Sequence, residues 1–458
     1  MAYKTAAALS GANGAQAVKN GMINKLAEDD KAAHRWYRFV LSYPPHLVRQ
    51  YLEEFGISKK QKILDPFCGT GTTLVECKKH GIPGVGMEAN KMAFFASCVK
   101  VDWEINPKSL MRHADKVAGA TLDALSDDGI NDEVLFFSNG KNTLKKKLKD
   151  LPADSKKLLL KNSLSPLPMH KTLILLENLN RFNGSRFFAH ERLALAKALV
   201  FSISNLHFGP EVGVRSPKED AAVIAPWLDA IHEMSEDVNE LSSVGSATTD
   251  LFFADARDIT RHVAPHSIDA VITSPPYPNE KDYTRTTRLE SVLLGFLQNR
   301  AELRSMKHEL IRSNTRNVYK GDEDDGWVED NKQIQRIAQE IESRRIALGK
   351  TSGFERLYAK VTKLYFGGMA RHLSQLREVL RPGAQLAYVV GDQASYLQVM
   401  IRTGKILAEI AESLGYEVIR IDLFRTRLST ATKKMLREEV VVLRWPGGGG
   451  TTGSSNRK

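Results

Sequence analysis

Short apolar runs and amphipathic helical periods alternate in two separate blocks of the chain. In the first block, the pattern predicts an amphipathic helix over residues 46–55 and an apolar strand over 62–65. A Gly-rich turn, a helix over 72–80 and a second strand over 84–88 follow. This order of strand, turn, helix and strand is typical of the first half of a doubly wound nucleotide-binding sheet.

The second block begins near Asp250 and continues the alternation. Its last apolar run, Val440 to Leu443, suits an antiparallel strand near a sheet edge, so the predicted fold is α/β with a mostly parallel sheet. The other predicted elements are strands at 251–254, 268–273, 385–390, 417–422 and 439–445, helices at 369–380 and 403–414, and a turn at 381–383.

Two segments interrupt this alternation. The segment from about 107 to 246 has helical periodicity, and the segment from about 278 to 352 is charged, with helices predicted at 288–297 and 331–347. The predicted organisation is a flexible N-terminus at 1–30, a first part of the α/β domain at 31–105, a mainly helical insertion at 106–246, a second part of the α/β domain at 247–446, and a flexible tail at 447–458.

Composition narrows the class of protein. The 458 residues include 65 Lys and Arg against 54 Asp and Glu, and this net charge of +11 favours a polyanionic partner. The three cysteines exclude a disulfide scaffold, and the absence of a Cys-x-x-Cys pair disfavours a structural zinc site. Because the sequence has no apolar run of about 18 residues and no signal-peptide core, we expect a soluble intracellular protein.

The turn after the first strand reads Asp65-Pro-Phe-Cys-Gly-Thr-Gly-Thr-Thr73. It lacks the lysine of a phosphate loop, and Leu74 breaks the dinucleotide fingerprint, so the turn suits a nucleoside without a pyrophosphate. Glu88, at the end of the next strand, is placed to accept hydrogen bonds from ribose hydroxyls. The alternative is a tight strand–helix turn followed by a helix-capping acid.

The second candidate motif is Ser274-Pro-Pro-Tyr277, directly after an apolar strand. Two prolines stiffen the chain and hold a hydroxyl, a carbonyl and an aromatic face at the end of the sheet where ligands bind. Such a group can hold a planar ring that bears an amine, with Tyr277 stacked on the ring and with Ser274 Oγ and the Pro275 carbonyl on the amine. The alternative is a rigid loop with a packed tyrosine.

Together these motifs resemble the S-adenosylmethionine-dependent amino-methyltransferases of nucleic acids, and the serine form of the second motif is typical of the cytosine-N4 branch. The segments Tyr43-Pro-Pro-His46, Ala254-Asp-Ala-Arg-Asp258 and Arg381-Pro-Gly are similar to further elements of that family. The resemblance implies a Rossmann-like methyltransferase sheet that uses S-adenosylmethionine and no metal. It implies cofactor-binding roles for Tyr43, Pro45, Asp65, Phe67, Gly69, Gly71, Thr72, Glu88 and Asp255, and catalytic roles for Ser274, Pro275, Pro276 and Tyr277.

The activity implied is methylation of the N4 amine of cytosine in double-stranded DNA, in a restriction-modification or phage-defence system. The expected location is the cytoplasm, at the nucleoid, with a cognate restriction endonuclease as a candidate partner and no membrane partner. Adenine-N6 methylation, RNA methylation and a non-catalytic DNA-binding subunit remain alternatives. No cysteine follows a proline, which disfavours methylation of a ring carbon through a cysteine nucleophile. A side chain at Gly71 is expected to fill space that the ligand needs.

Basic residues supply candidates for DNA contact. The stretch from Arg304 to Lys320 contains Asn314, Arg316 and Asn317, which are residue types that read base edges. A lysine run at 141–161 is either a solvated face or a contact with phosphates. The helical insertion at 106–246 is a candidate target-recognition region. The predicted DNA-binding residues are Arg316, Arg425, Arg427, Lys433, Lys434 and Arg437.

Overall fold

A computed structural model describes residues 26–38, 42–132, 147–208, 211–244, 247–279, 281–428 and 432–448. Most of the expected flexible N-terminus and tail, and the lysines before Lys147, lie outside the described residues. The strands are β1 Ile63–Asp65, β2 Gly84–Glu88, β3 Leu206–Phe208, β4 Val212–Val214, β5 Thr249–Phe253, β6 Ile268–Thr273, β7 Leu380–Gly391, β8 Glu417–Leu428 and β9 Met435–Arg444.

Helices connect these strands and fill both intervening segments. They are α1 Pro45–Glu54, α2 Thr72–Lys79, α3 Lys91–Lys100, α4 Pro107–Asp127, α5 Ala153–Lys156, α6 Pro166–Asn180, α7 Phe188–Ala198, α8 Ile224–Leu241, α9 Tyr283–Thr286, α10 Arg288–Leu293, α11 Arg300–His308, α12 Lys332–Ala347, α13 Tyr358–Leu376 and α14 Thr403–Ser413.

Seven strands form one sheet in the order β5-β2-β1-β6-β7-β9-β8. The pairs from β5 to β7 are parallel, whereas β9 is antiparallel to both β7 and β8. The predicted α/β fold, with a mostly parallel sheet and an antiparallel strand near one edge, is confirmed. Strand order reverses between β1 and β6, so a crevice opens at the carboxyl ends of these two strands.

The short strand β1 is buried on both faces. Consecutive side chains of a strand point to opposite faces, and here Leu64 packs in the cluster that contains α13 and α14 residues, while Ile63 packs with α1. The register places Leu64 opposite Val85 of β2 and Val271 of β6. This burial fixes the position of the turn that follows β1.

The segment between β2 and β5 is mainly helical and also contains the small hairpin β3–β4. Its core is continuous with the helices beside the sheet, because Leu110, Leu193 and Ile231 share one apolar cluster with Leu74 of α2 and Met92 of α3. The insertion is therefore packed directly against the helices that follow β1 and β2.

Two local features differ from the sequence-based expectation. The turn expected at 381–383 is instead a bulge inside β7. Leu380 pairs with Ile268 and Gln385 pairs with Ala270, so β7 has more residues between these two pairs than β6 has. Helix α13 begins at Tyr358, well before the expected residue 369, and its apolar face is buried from Val361 onward.

Candidate active site

One cavity of about 330 Å³ lies at the carboxyl ends of β1, β2, β5 and β6. Of the residues predicted to bind cofactor or act in catalysis, Pro45, Asp65 and Gly71 do not line it. The others are brought together on its wall: Tyr43, Phe67, Gly69, Thr72, Glu88, Asp255, Ser274, Pro275, Pro276 and Tyr277.

The turn between β1 and α2 contains two glycines in the left-handed region, with φ of +54° at Gly69 and +83° at Gly71. Ser97 of α3 donates from Oγ to the Gly69 carbonyl oxygen at 2.7 Å. A Cβ atom on Gly71 would lie 3.1 Å from Ser97 Oγ and 3.3 Å from Ser97 Cα. The expectation that a side chain at Gly71 fills ligand space is therefore wrong, because that position faces α3.

Asp65, the last residue of β1, is completely buried and organises the turn. Its Oδ1 accepts hydrogen bonds from Thr273 Oγ1 at 2.6 Å and from the Phe67 N–H at 3.2 Å. Its Oδ2 accepts a hydrogen bond from the Tyr43 hydroxyl at 2.9 Å. Burial raises the pKa of Asp65, although the bonds from its hydroxyl partners favour the carboxylate. Of the hydroxyl groups bonded to Asp65, that of Tyr43 belongs to a residue that also lines the cavity.

Glu88 ends β2 and lines the cavity. Its Oε2 accepts the Gly69 N–H at 2.9 Å, and its Oε1 accepts the Asn90 N–H at 2.7 Å. Burial raises the pKa of Glu88 to about 7, against the opposing effect of these two bonds. A carboxylate oxygen has more than one acceptor direction, so each oxygen can still accept a hydroxyl from a molecule in the cavity.

Asp255 caps the short helical turn Ala256–Arg261 and is held by Arg257. The Arg257 Nε lies 3.0 Å from Asp255 Oδ1 and 2.9 Å from Oδ2, and its Nη2 lies 2.5 Å from Oδ2. The same guanidinium donates from Nη1 to Asp324 Oδ2 at 2.5 Å. This arrangement fixes the orientation of the Asp255 carboxylate at the cavity wall.

Ser274 follows β6 directly and lines the cavity with both prolines. Its hydroxyl donates to the Val389 carbonyl oxygen of β7 at 3.1 Å. Because the only hydroxyl proton is used in this bond, Ser274 Oγ faces any other partner as an acceptor. The N–H groups of an incoming amine are donors, so they require such an acceptor.

Tyr277 packs its ring against the end of β7. A Cβ atom on Gly391 would lie 2.8 Å from Tyr277 Cε2, so only glycine leaves room for the ring at this position. The Tyr277 N–H donates to the Tyr283 hydroxyl at 3.4 Å. Both tyrosines line the cavity, which gives it aromatic surface beside Ser274.

The basic residues of the hairpin β8–β9 are arranged around acidic partners. Arg425 and Arg427 line the cavity, and both contact Glu438, with Nη2 of Arg425 2.5 Å and Nε of Arg427 3.5 Å from its carboxylate. Outside the cavity lining, Arg437 Nε lies 3.1 Å from Asp392 Oδ2. The segment 425–437 contains no acidic residue, so the partners Glu438 and Asp392 come from outside it.

The other predicted DNA contacts do not line the cavity. Lys433 and Lys434 are exposed in the connection between β8 and β9. The exposed Arg316 places its guanidinium 5.8 Å from the ring centroid of Phe354. In the described part of the lysine run, Lys157 pairs with Asp154 at 2.9 Å.

Many lining residues were not among the sequence-based candidates. Thr70, Phe424 and Glu438 each adjoin a candidate in sequence, which is the signal that could have identified them, whereas Lys281 and Tyr283 reach the wall through the loop after Tyr277.

Within the described residues, no group of three or more His, Cys, Asp or Glu side chains is arranged to hold a metal ion. Over the same part of the chain, every helix is too short or too polar to cross a bilayer.

The reversal of strand order at β1 and β6, the antiparallel β9 and the glycine turn facing Glu88 define a Rossmann-like methyltransferase fold. No model of a known protein family matches the chain. The type II methyltransferase M.BsoBI of Geobacillus stearothermophilus is 24% identical over 471 residues, covering 92% of this chain and 86% of the relative. The type II methyltransferase M.AvaI of Nostoc sp. is 23% identical over 483 residues, covering 94% and 90%.

This similarity to two type II methyltransferases extends over nearly the whole of both relatives. Among solved structures, the rRNA methyltransferase aviRa of Streptomyces viridochromogenes aligns with a TM-score of 0.29 and 9% identity, covering 93% of this chain and 91% of that chain. That likeness is too weak to bear on fold or function.

Proposed function

We propose that the protein transfers a methyl group from S-adenosylmethionine to the exocyclic N4 amine of cytosine in double-stranded DNA. The observation that carries this proposal is the bond from the Ser274 hydroxyl to the Val389 carbonyl oxygen, which leaves Ser274 Oγ as an acceptor in the cavity. The full-length similarity to two type II methyltransferases supports a role in a restriction-modification or phage-defence system, with a restriction endonuclease as partner.

The cavity suits the cofactor. S-adenosylmethionine supplies an electrophilic methyl group on its sulfonium sulfur. The Glu88 carboxylate is positioned to accept ribose hydroxyls, and Asp255, held by Arg257, to accept an amine of the adenine ring. Thr70 lines the same wall beside Gly69.

Ser274 and Pro275 would act on the target amine. The lone pair of that amine is conjugated into its ring, and hydrogen bonds from its two N–H groups to Ser274 Oγ and the Pro275 carbonyl would localise the lone pair on nitrogen. Tyr277 would hold the face of the base after it leaves the DNA stack. Catalysis by this chain then consists of positioning and of polar groups that are in place before the reaction.

Transfer to an amine fits this cavity better than transfer to a ring carbon, which requires a cysteine nucleophile. Cys68 is the cysteine that lines the cavity, and burial raises the pKa of its thiol well above the usual range. The thiol therefore remains protonated and is a poor nucleophile. Cytosine is preferred to adenine because Ser274 gives the motif the form typical of the cytosine-N4 branch.

DNA is expected to approach the cavity from the side of Arg425 and Arg427. Glu438 holds both side chains at the wall, and Arg427 retains 42% of its side-chain surface exposed, which leaves its guanidinium accessible to a phosphate. We assign target recognition to the helical insertion, with the same bounds of 106–246 as predicted.

Transfer of labelled methyl groups tests the proposal. The protein, labelled S-adenosylmethionine and either duplex DNA or RNA are incubated, and the product is digested to nucleosides and resolved by mass spectrometry. We expect N4-methylcytosine from duplex DNA only. Label in N6-methyladenine or in RNA would establish one of the alternative activities, and no label in any substrate would support a non-catalytic DNA-binding subunit.

A further inference from the structure

Two arginines share one carboxylate just outside the cavity. Arg402 directly precedes α14, in the connection from β7, and its Nη1 donates to Asp392 Oδ2. Arg437 of β9 donates from Nε to the same oxygen at 3.1 Å. Asp392 follows Gly391, the last residue of β7, beside which the ring of Tyr277 packs. The two arginines therefore lie at the end of the sheet that carries the cavity, although neither lines it.

The charges of this cluster are separated by depth. The Asp392 side chain is completely buried, and that of Glu439, which lies 3.0 Å from Arg437 Nη1, is 6% exposed. The side chains of Arg402 and Arg437 are each 41% exposed. A phosphate that approaches from solvent comes closer to the guanidinium groups than to the carboxylates, so its net interaction with the cluster is attractive.

Two other ion pairs near these elements lack this separation. Arg444, the last residue of β9, lies toward the opposite end of the sheet and pairs with Glu417 at 2.5 Å, and their side chains are 51% and 43% exposed. Lys405 of α14 pairs with Glu409, and both side chains reach solvent. An anion would meet the acid as readily as the base at either pair, so these are ordinary surface ion pairs.

The buried acid holds the arginines in place and leaves donors unused. In the hydrogen bonds between described residues, Arg402 uses only Nη1, so its Nε and Nη2 remain for another acceptor. Arg437 uses Nε and Nη1 on its two acidic partners, which leaves its Nη2. Because both side chains are already ordered, a phosphate bound here would cost less side-chain entropy than one bound by free arginines.

We propose that Arg402 and Arg437 form a contact site for a phosphate of the DNA backbone beside the cavity. The inference rests on the DNA partner of the proposed function, which reaches the cavity from the side of Arg425 and Arg427. Those two arginines are likewise held by a largely buried carboxylate, that of Glu438, so the same arrangement extends from the cavity lining to the surface outside it. Since phosphate contacts carry no sequence information by themselves, the site positions the duplex and does not read its sequence.

The salt dependence of DNA binding tests this proposal. Affinity for a short labelled DNA duplex is measured by fluorescence anisotropy over a range of salt concentrations, for the wild type, Arg402→Gln, Arg402→Lys and the matched control Arg444→Gln. We expect Arg402→Gln to reduce the slope of log K against log salt by about one and to weaken binding about tenfold at low salt. Arg402→Lys keeps the charge and should keep the slope, and Arg444→Gln should match the wild type.

Protection from an arginine-selective dicarbonyl reagent tests the same contact without any substitution. The wild-type protein is treated with the reagent in the presence and absence of duplex DNA, and modified peptides are identified by mass spectrometry. We expect DNA to lower the modification of Arg402 and Arg437 and to leave that of Arg444 unchanged.

Equal affinity and salt slope in Arg402→Gln and Arg444→Gln, or equal modification of Arg402 with and without duplex DNA, would overturn the inference. A slope reduced as much in Arg402→Lys as in Arg402→Gln would also overturn it, because the ion pair with Asp392 and not the charge would then be responsible. Protection by RNA but not by duplex DNA would overturn it in favour of an RNA partner. Absence of methyl transfer by a wild-type protein that binds duplex DNA would instead overturn the proposed function and leave this inference standing.

Discussion

Replacing Gly71 with alanine should destabilise the protein by about 2–4 kcal/mol, whereas the same change at Gly69 should cost about 1 kcal/mol. Both glycines have positive φ, so alanine is strained at either position by roughly 1–2 kcal/mol, partly offset by a less flexible unfolded chain. A Cβ on Gly69 would meet nothing closer than 4.0 Å, so backbone strain is the whole effect there.

At Gly71 a second cost is added. The new Cβ would lie 3.1–3.3 Å from three atoms of Ser97, so α3 must shift. That shift would strain the 2.7 Å bond from Ser97 Oγ to the Gly69 carbonyl oxygen, which is worth about 0.5–1.5 kcal/mol. Ser97→Ala removes both the hydroxyl contact and this bond, so the difference between the two glycine variants should shrink by about 1 kcal/mol in that background.

Urea unfolding of the wild type, Gly69→Ala, Gly71→Ala and the two double variants with Ser97→Ala measures these differences. Affinity for S-adenosylmethionine, measured by calorimetry on the folded variants, should fall more in Gly71→Ala, because the turn that moves carries Gly69 and Thr70 on the cavity wall. Equal losses of stability at Gly69 and Gly71 in the wild-type background, or a difference that Ser97→Ala leaves unchanged, would refute the assignment of Gly71 to contact with Ser97.

Three further predictions concern the chemistry of the cavity. Ser274→Ala should lower kcat by about 10- to 1000-fold with nearly unchanged affinity for S-adenosylmethionine; equal kcat values would contradict its role on the amine. The pKa of Glu88 is raised to about 7, so its carboxylate, which is proposed to accept ribose hydroxyls, forms as pH rises through 7. Affinity for S-adenosylmethionine should therefore strengthen over that pH range, and Glu88→Gln should abolish this pH dependence. Arg427→Gln should reduce the slope of log K for duplex DNA against log salt by about one, while the paired, exposed Lys405→Gln, outside the proposed recognition region, should leave it unchanged.

The sheet could be predicted from the sequence because its strands are apolar and buried on both faces, and because turn residues separate them from helices of the correct length. The two motifs could be predicted because parallel strands place their carboxyl ends at one edge, so the turn after β1 and the loop after β6 meet. For this reason the turn that contains Gly69 and the loop that contains Ser274, far apart in sequence, line the same cavity.

What the sequence could not indicate are contacts made across the fold. The position of Gly71 against Ser97 depends on how α3 packs, and the bond from Ser274 to Val389 depends on the register of β6 against β7. Asn314 and Asn317 are identical in type and close in sequence, and only the fold shows that Asn317 lines the cavity while Asn314 does not.

The most direct test of the central claim is the nucleoside composition of duplex DNA after incubation with S-adenosylmethionine and either the wild-type protein or Ser274→Ala. The two proteins are compared at equal concentration and with confirmed cofactor binding. We predict N4-methylcytosine with the wild type and at least a tenfold smaller initial rate with Ser274→Ala. N6-methyladenine, no methylated base with the wild type, or an undiminished rate with Ser274→Ala would contradict the account.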